Sequence, residues 1–245
     1  MHEDSLHDES CFVTLTYRTE DLPPGLSLRY SDFQVFMRAL RASVRPRKVR
    51  FFCGGEYGEK DSRPHFHVLL FGYRPDDLVR VGSGSLGDAL FDSASLARLW
   101  GKGFVSVGRV SYKSAGYVAR YVMKKQLGPE AGPMREILDV ETGEIHLREH
   151  EMMHCSLRPG IGSKWFEKFS SDVFPHDFVV VSGSKVPVPR YYWKLQTRVD
   201  VQVVEDEVAL RRYVKGRQVA ADNTDERLRV RERVAKSRVG LLRRS

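Results

Sequence analysis

Two histidines one position apart, His65 and His67, follow a lone carboxylate at Glu56. On a β-strand successive side chains alternate faces, so the imidazoles of His65 and His67 point the same way while Phe66, Val68 and Leu70 point the other. If the strand ending near Glu56 pairs with the histidine strand, a carboxylate joins the two imidazoles. That donor set suits a divalent ion with open positions that accept phosphate oxygens, and such an ion acts as a Lewis acid on a phosphoryl group. Paired histidines also suit a wet sheet face with no metal, and the spacing by itself leaves both readings open.

A second set of reactive side chains lies in the stretch Ser114-Ala-Gly-Tyr-Val-Ala-Arg-Tyr-Val-Met-Lys-Lys125. At about 100° per helical residue, Tyr117 and Tyr121 stand within about 40° of each other, flanked by Arg120 and Lys124. Ala115, Val118, Ala119 and Val122 fall on the opposite side and are expected to face the core. A phenol is a weak nucleophile at neutral pH, and neighbouring cations favour its ionised form or hold a phosphate. A metal that polarises a phosphodiester and a tyrosine that attacks it together give a covalent phosphotyrosine.

The elements that must position these groups can be read from periodicity. Phe12 to Tyr17 reads as a strand, closed by Pro23-Pro24-Gly25. Ser31 and Gln34 form a capping-box signature, and Phe33, Met37, Leu40 and Val44 make one face of a helix that Pro46 stops. Lys48 to Cys53 reads as a strand broken by Gly54-Gly55, and Phe66 to Tyr73 as the next. Asp92 or Ser93 caps a short helix, Phe104 to Val110 is a strand, and a helix runs from Ser114 to about Gln126. The order β-α-β-β-α-β-α predicts an α+β, ferredoxin-like antiparallel sheet with helices packed on one face. The expected organisation is an acidic extension over 1–11, a catalytic domain over 12–195 with an excursion around 128–150, and a basic, helical tail over 196–245.

Composition narrows the class. With 41% apolar and 11% aromatic residues in 245, the chain has material for a core and is not a disordered one. No run approaches the ~18 apolar residues of a membrane span, and the acidic start lacks the apolar core of a secretory signal. Three scattered cysteines, Cys11, Cys53 and Cys155, give neither a disulfide framework nor a cysteine zinc site. The stretch from Arg211 to Ser245 holds 12 of the 40 basic and 4 of the 32 acidic residues, so the formal charge of +8 belongs to it. Such a run suits phosphate binding or a solvated helix face equally. Arg47, Lys48 and Arg50 lie in a second basic stretch that could track a DNA backbone.

FVTLTY, CGGEYGEKDSRPHFHVLLFG and SAGYVARYVMKK, in that order, closely resemble the three motifs of HUH-type rolling-circle replication initiators. With LRPGIGSKWF and VPRYY downstream, the resemblance over roughly residues 11–195 is to the initiators of gokushovirus-like microviruses, which are single-stranded DNA phages. It implies the HUH endonuclease fold, Mg²⁺ or Mn²⁺ on His65 and His67 with Glu56 completing the site, Tyr117 and Tyr121 as nucleophiles, and Lys124 as their cationic neighbour. It further implies nicking at the viral origin, a 5'-phosphotyrosine intermediate, a 3'-hydroxyl primer, and strand transfer that circularises the product. Origin DNA, single-stranded or melted, is the implied partner in the cytoplasm of a bacterial host. The G-x-x-x-x-G-K-[ST] loop of ATP-driven motors is missing, so the helicase, like the DNA polymerase, is expected from the host.

Three other readings compete. His150-Glu-Met-Met-His154 spells H-E-x-x-H, the zinc signature of metalloproteases, which requires a helix and a third ligand such as His176. A non-catalytic module that stacks single strands on Phe12, Tyr17, Phe51 and Phe52 needs no metal. A plasmid initiator or transposase would share the metal and tyrosine arrangement.

Overall fold

A computed structural model describes residues 1–58, 61–84, 87–124, 135–138, 142–181 and 183–240; the side chains of 120–124, 135, 203–205 and 239–240 lie outside what it describes. The chain packs into two compact units, Met1–Ile161 and Gly162–Ser245.

In the first unit the elements run β1 (Ser10–Tyr17), α1 (Tyr30–Ser43), β2 (Arg50–Tyr57), β3 (Pro64–Phe71), β4 (Leu78–Ser83), β5 (Ala89–Ser93), α2 (Ala94–Trp100), β6 (Gly103–Gly108) and α3 (Tyr112–Lys124). They are followed by β7 (Arg135–Leu138), β8 (Ile145–Arg148) and β9 (Met152–Cys155). The helix end expected near Gln126 lies outside the described residues. Seven strands form one antiparallel sheet in the order β4-β5-β6-β1-β3-β2-β9, and β7 and β8 form a separate hairpin. At its centre, β6-β1-β3-β2 is the strand arrangement of a ferredoxin-like fold, as the order of elements predicts. The β4–β5 hairpin is an insertion that the sequence reading lacked.

Alternation sorts the sheet into two faces. Val13, Leu15, Tyr17, Phe66, Val68 and Leu70 are fully buried against Phe33, Phe36 and Leu40 of α1 and Leu96 and Trp100 of α2. Ser93 caps α2 by accepting from the Leu96 amide at 3.2 Å, and Gly101 ends it in the left-handed conformation. The helices are not all on that face. α3 lies on the other one, where Val118 packs with Leu69, Phe71 and Phe12. Its apolar contact is narrower than expected, and Ala119 is exposed rather than core-facing.

Two local expectations change. α1 begins one residue before Ser31 and no side chain caps it; Asp32 in its first turn instead accepts from the Tyr17 hydroxyl at 2.9 Å. Gly54-Gly55 does not break β2, which is paired on both sides, to β3 and to β9. A Cβ on Gly55 would come within 3.0 to 3.2 Å of Met152, Leu28 and Phe66, so the glycine is there for close packing. The acidic start is also more than an extension: Glu3 is buried and pairs with Arg50 at 2.6 Å.

The second unit has its own core of Phe166, Val173, Phe174, Val179, Val188, Tyr192 and Val208. It is built by α4 (Ser163–Val173), the hairpin β10 (Val179–Val181) and β11 (Ser184–Val186), α5 (Arg190–Val199), α6 (Ala209–Gln218) and α7 (Asp225–Gly240). Because α4 and α5 share this core, the first unit ends at Ile161, before the boundary near 195 expected from the sequence. The basic stretch is helical, and the described side chains of α7 are exposed on every side. No helix among the described residues is long and apolar enough to cross a membrane.

Candidate functional site

The antiparallel register places Glu56 on β2 directly opposite His65 on β3, with Gly54 opposite His67. Alternation along β3 then sets both imidazoles on the face away from α1. Glu56 Oε1 lies 2.7 Å from His65 Nε2 and 2.7 Å from His67 Nε2, and the three ligand atoms all fall within 4.8 Å of one another. Glu56 and His67 are 5% and 6% exposed; His65 is the most open of the three.

The far ring nitrogens are also fixed. His65 Nδ1 donates to the Arg63 carbonyl at 3.0 Å, and His67 Nδ1 is 3.0 Å from Thr14 Oγ1. A carbonyl only accepts, so His65 Nε2 is the nitrogen left to carry either a metal or a second proton toward Glu56. Such outer hydrogen bonds are what orient metal-binding histidines. Burial would raise the Glu56 carboxyl, but the hydrogen bonds and charge of the two histidines outweigh it and hold it below the ordinary carboxylate range. Burial pulls His65 down, and its bond to Glu56 overcomes that and raises it. In His67 burial wins and the pKa falls, which favours the neutral ligand form. Two imidazoles and one carboxylate, converging on Nε2, Nε2 and Oε1, fit a divalent cation with remaining positions open.

α3 crosses this face and brings Tyr117 onto it. Its hydroxyl is 3.4 Å from both Glu56 Oε1 and His67 Nε2, and its ring stands edge-on to His67 and to Phe12. Tyr117 is 6% exposed and turned toward the sheet beside Val118, not away from the apolar side as the helical projection suggested. Arg120, Tyr121 and Lys124 follow on α3, but their side chains lie outside the described residues.

The other candidates separate. Arg50 is held by Glu3 and by the Pro159 carbonyl at 2.7 Å; Arg47 pairs with Glu9 at 2.9 Å; Lys48 is exposed. None of the three is among the partners of the cluster. The H-E-x-x-H stretch is extended: His154 lies in β9 opposite Cys53 and stacks on Tyr30, so His150 and His154 do not share a helix face as a zinc protease requires. Of the proposed stacking aromatics, Tyr17 and Phe51 belong to the closed core, and Phe12 packs beneath α3 on His67. Sequence reasoning missed Thr14. Its signal was available in the alternation Phe12, Thr14, Thr16, which puts a hydroxyl on the histidine face once β1 and β3 are paired.

The stretch from Ser10 through α3 holds every described member of this cluster, and residues 10–126 match the family of replication-associated proteins typified by ORF2. Over that stretch the chain belongs to that family. It is 34% identical over 200 residues to a replication-associated protein, VP4, of Bdellovibrio phage phiMH2K, covering 78% of this chain and 59% of the phage protein. It is 30% identical to the replication-associated protein ORF2 of Spiroplasma virus 4, over 74% of this chain and 56% of that one. Against the replication-associated protein ORF4 of Chlamydia phage 1 the identity is 28%, over 76% and 45%. The chain thus spans about half the length of these relatives. No solved structure matches it.

Proposed function

We propose that this chain is a phage replication initiator that nicks origin DNA with a tyrosine beside a divalent cation. The observation that supports the reading most directly is the convergence of the Tyr117 hydroxyl, at 3.4 Å, on the Glu56, His65 and His67 cluster. The printed names of the relatives agree with a role in replication. A structural cluster has no need of a phenol at its edge, and a binding module has no need of either.

In this reading Glu56, His65 and His67 hold Mg²⁺ or Mn²⁺, which when bound supplies Lewis-acid polarisation of a phosphodiester oxygen. Thr14 and the Arg63 carbonyl keep the two Nε2 atoms aimed at the site. The Tyr117 oxygen forms a bond to phosphorus as the P–O3' bond breaks. The phenolic proton leaves to water, and the departing oxygen takes one from water. The products are a 5'-phosphotyrosine and a free 3'-hydroxyl for the host polymerase to extend. Because the phosphodiester energy is kept in the new bond, rejoining needs no ATP. Tyr121, one helical turn further along α3, takes the second strand end, and Lys124 and Arg120 stabilise phosphate charge near the two phenols.

The test incubates the full chain and Mn²⁺ with single-stranded oligonucleotides tiled over its own genome, and looks for an SDS-resistant protein–DNA adduct. One oligonucleotide or a few related ones should give the adduct. It should disappear in EDTA, in His65→Ala His67→Ala, and in Tyr117→Phe Tyr121→Phe. An adduct that survives in EDTA or in the double tyrosine variant overturns the reading. DNA binding that persists in wild type without any adduct favours the non-catalytic module.

A further inference from the structure

The half of the histidine face that α3 leaves open has a pattern of its own. β1 pairs with β6 so that Thr16 is opposite Phe104, and with β3 so that Thr16 is opposite His65. Phe104, Thr16 and His65 therefore form one row across three strands, and the row continues to Glu56 on β2. Phe104 is 68% exposed, at a position where alternation points it to the same side as the cluster. An apolar ring exposed on a sheet next to a built site calls for an occupant in a way that a scattered surface residue does not.

The adjacent row is cationic. One step of alternation beyond Phe104, Thr16 and His65 come Lys102, Arg18 and Arg63, and the Arg18 amide bonds to the Lys102 carbonyl at 2.9 Å. Arg63 also donates to the Tyr17 carbonyl at 2.8 Å, which holds it at the end of β1. The ion-pair partners of the three are Asp32, Asp21 and Asp61, in pairs that water reaches. Pairs of this kind are worth about 1 kcal/mol or less, so the cations are available to exchange a carboxylate for a phosphate. Two strand residues advance about 6.6 Å, which places the charged row one side chain's reach from the aromatic one.

We infer that this open face is a track for single-stranded DNA leading to the scissile phosphate, with a base stacked on Phe104 and the backbone lying along Lys102, Arg18 and Arg63. Stacking on an exposed ring is tolerant of sequence and requires unpaired bases, so the face takes a single strand and not a duplex. His65 is the most open member of the cluster and the one in line with Phe104, so the strand enters from that side. This deepens the proposed function and rests on it for the identity of the bound phosphate, but the binding itself is separable from the chemistry.

The test measures fluorescence anisotropy of a labelled oligothymidylate with the full chain in EDTA, at low and at physiological salt, against a labelled duplex. Wild type should prefer the single strand. Phe104→Ala should weaken binding about tenfold or more, and Phe104→Trp should restore it. Arg18→Ala Lys102→Ala should flatten the dependence of log affinity on log salt by about 0.7 for each phosphate that is no longer neutralised. Circular dichroism confirms that the exposed substitutions leave the fold intact. Wild-type affinity in Phe104→Ala, an unchanged salt slope in Arg18→Ala Lys102→Ala, a preference for duplex, or no binding by wild type would each overturn the track. An adduct-forming wild type whose Phe104→Ala variant binds normally refutes the track and leaves the nicking chemistry standing. Phe104-dependent binding with no adduct from any oligonucleotide does the reverse.

Discussion

The two faces of the seven-stranded sheet are made by alternate residues of the same strands, yet they obey different rules. On the α1–α2 face, Leu15, Phe66, Val68 and Leu70 are completely buried in an apolar cluster. On the other face the same strands present Thr14, Thr16, His65 and His67, and α3 covers only part of them. One face supplies the hydrophobic driving force, at about 25 cal/mol per Å² of apolar surface removed from water. That surplus permits the other face to carry buried polar groups, which would be costly without partners. Stability and chemistry are thus split by the pleat.

The sharpest way to break this comparison is to cut the closed face. Phe33 is fully buried and sits against Phe36, Phe51 and Phe66. Phe33→Ala should cost about 3–5 kcal/mol through reduced burial and the cavity left behind. Urea unfolding monitored by circular dichroism checks it. A change below about 1 kcal/mol would mean that this face is not where the stability lies.

A smaller effect sharpens the other side. Thr14→Val keeps the shape of the side chain and removes the oxygen 3.0 Å from His67 Nδ1. Loss of an outer partner of this kind typically weakens metal binding about 10–100-fold. Isothermal titration with Mn²⁺ should show that weakening, with Thr14→Ser restoring affinity. In thermal unfolding, Mn²⁺ at about 100 times its Kd should stabilise wild type by about 2.7 kcal/mol, and His65→Ala His67→Ala not at all. Equal affinity in Thr14→Val and wild type would make the Thr14 hydrogen bond incidental.

What was legible in the sequence follows the same division. His65, His67 and Glu56 could be brought together from alternation and one guess about pairing, because strand periodicity is two and admits no drift. The rotation of α3 was harder. Its residues facing the sheet include Ser114 and Tyr117 beside Val118, so a projection that assigns the core side by hydropathy turns the tyrosine outward. Gly54-Gly55 reads as a break by propensity, but pairing to β3 and β9 overrides it, since strand preference is mostly a matter of neighbours. Phe104 sits in a run of alternating apolar residues and looks like core; among the described residues no helix covers it, and it stays in water. The β4–β5 hairpin begins in a loop rich in Gly, Pro and Asp, and carries too few apolar residues to announce two strands.

The smallest expected effect on stability is the largest on chemistry. Tyr117→Phe removes a hydroxyl whose distances to Glu56 Oε1 and His67 Nε2, both 3.4 Å, are at the long end for hydrogen bonds, while the ring keeps its edge contacts to His67 and Phe12. A hydrogen bond is worth about 0.5–1.5 kcal/mol net, so the unfolding free energy should change by about 1 kcal/mol or less. Mn²⁺ affinity should hardly move, because the phenol is not one of the three converging donors. The adduct, by contrast, should lose whatever share forms on Tyr117, leaving only a fraction that Tyr121→Phe then abolishes. A group that matters this little to folding and this much to reaction is what the comparison of faces predicts for a side chain that α3 adds to the polar side. If Tyr117→Phe unfolded the chain as readily as Phe33→Ala, the phenol would belong to the core, and the division between the faces would fail where it counts most.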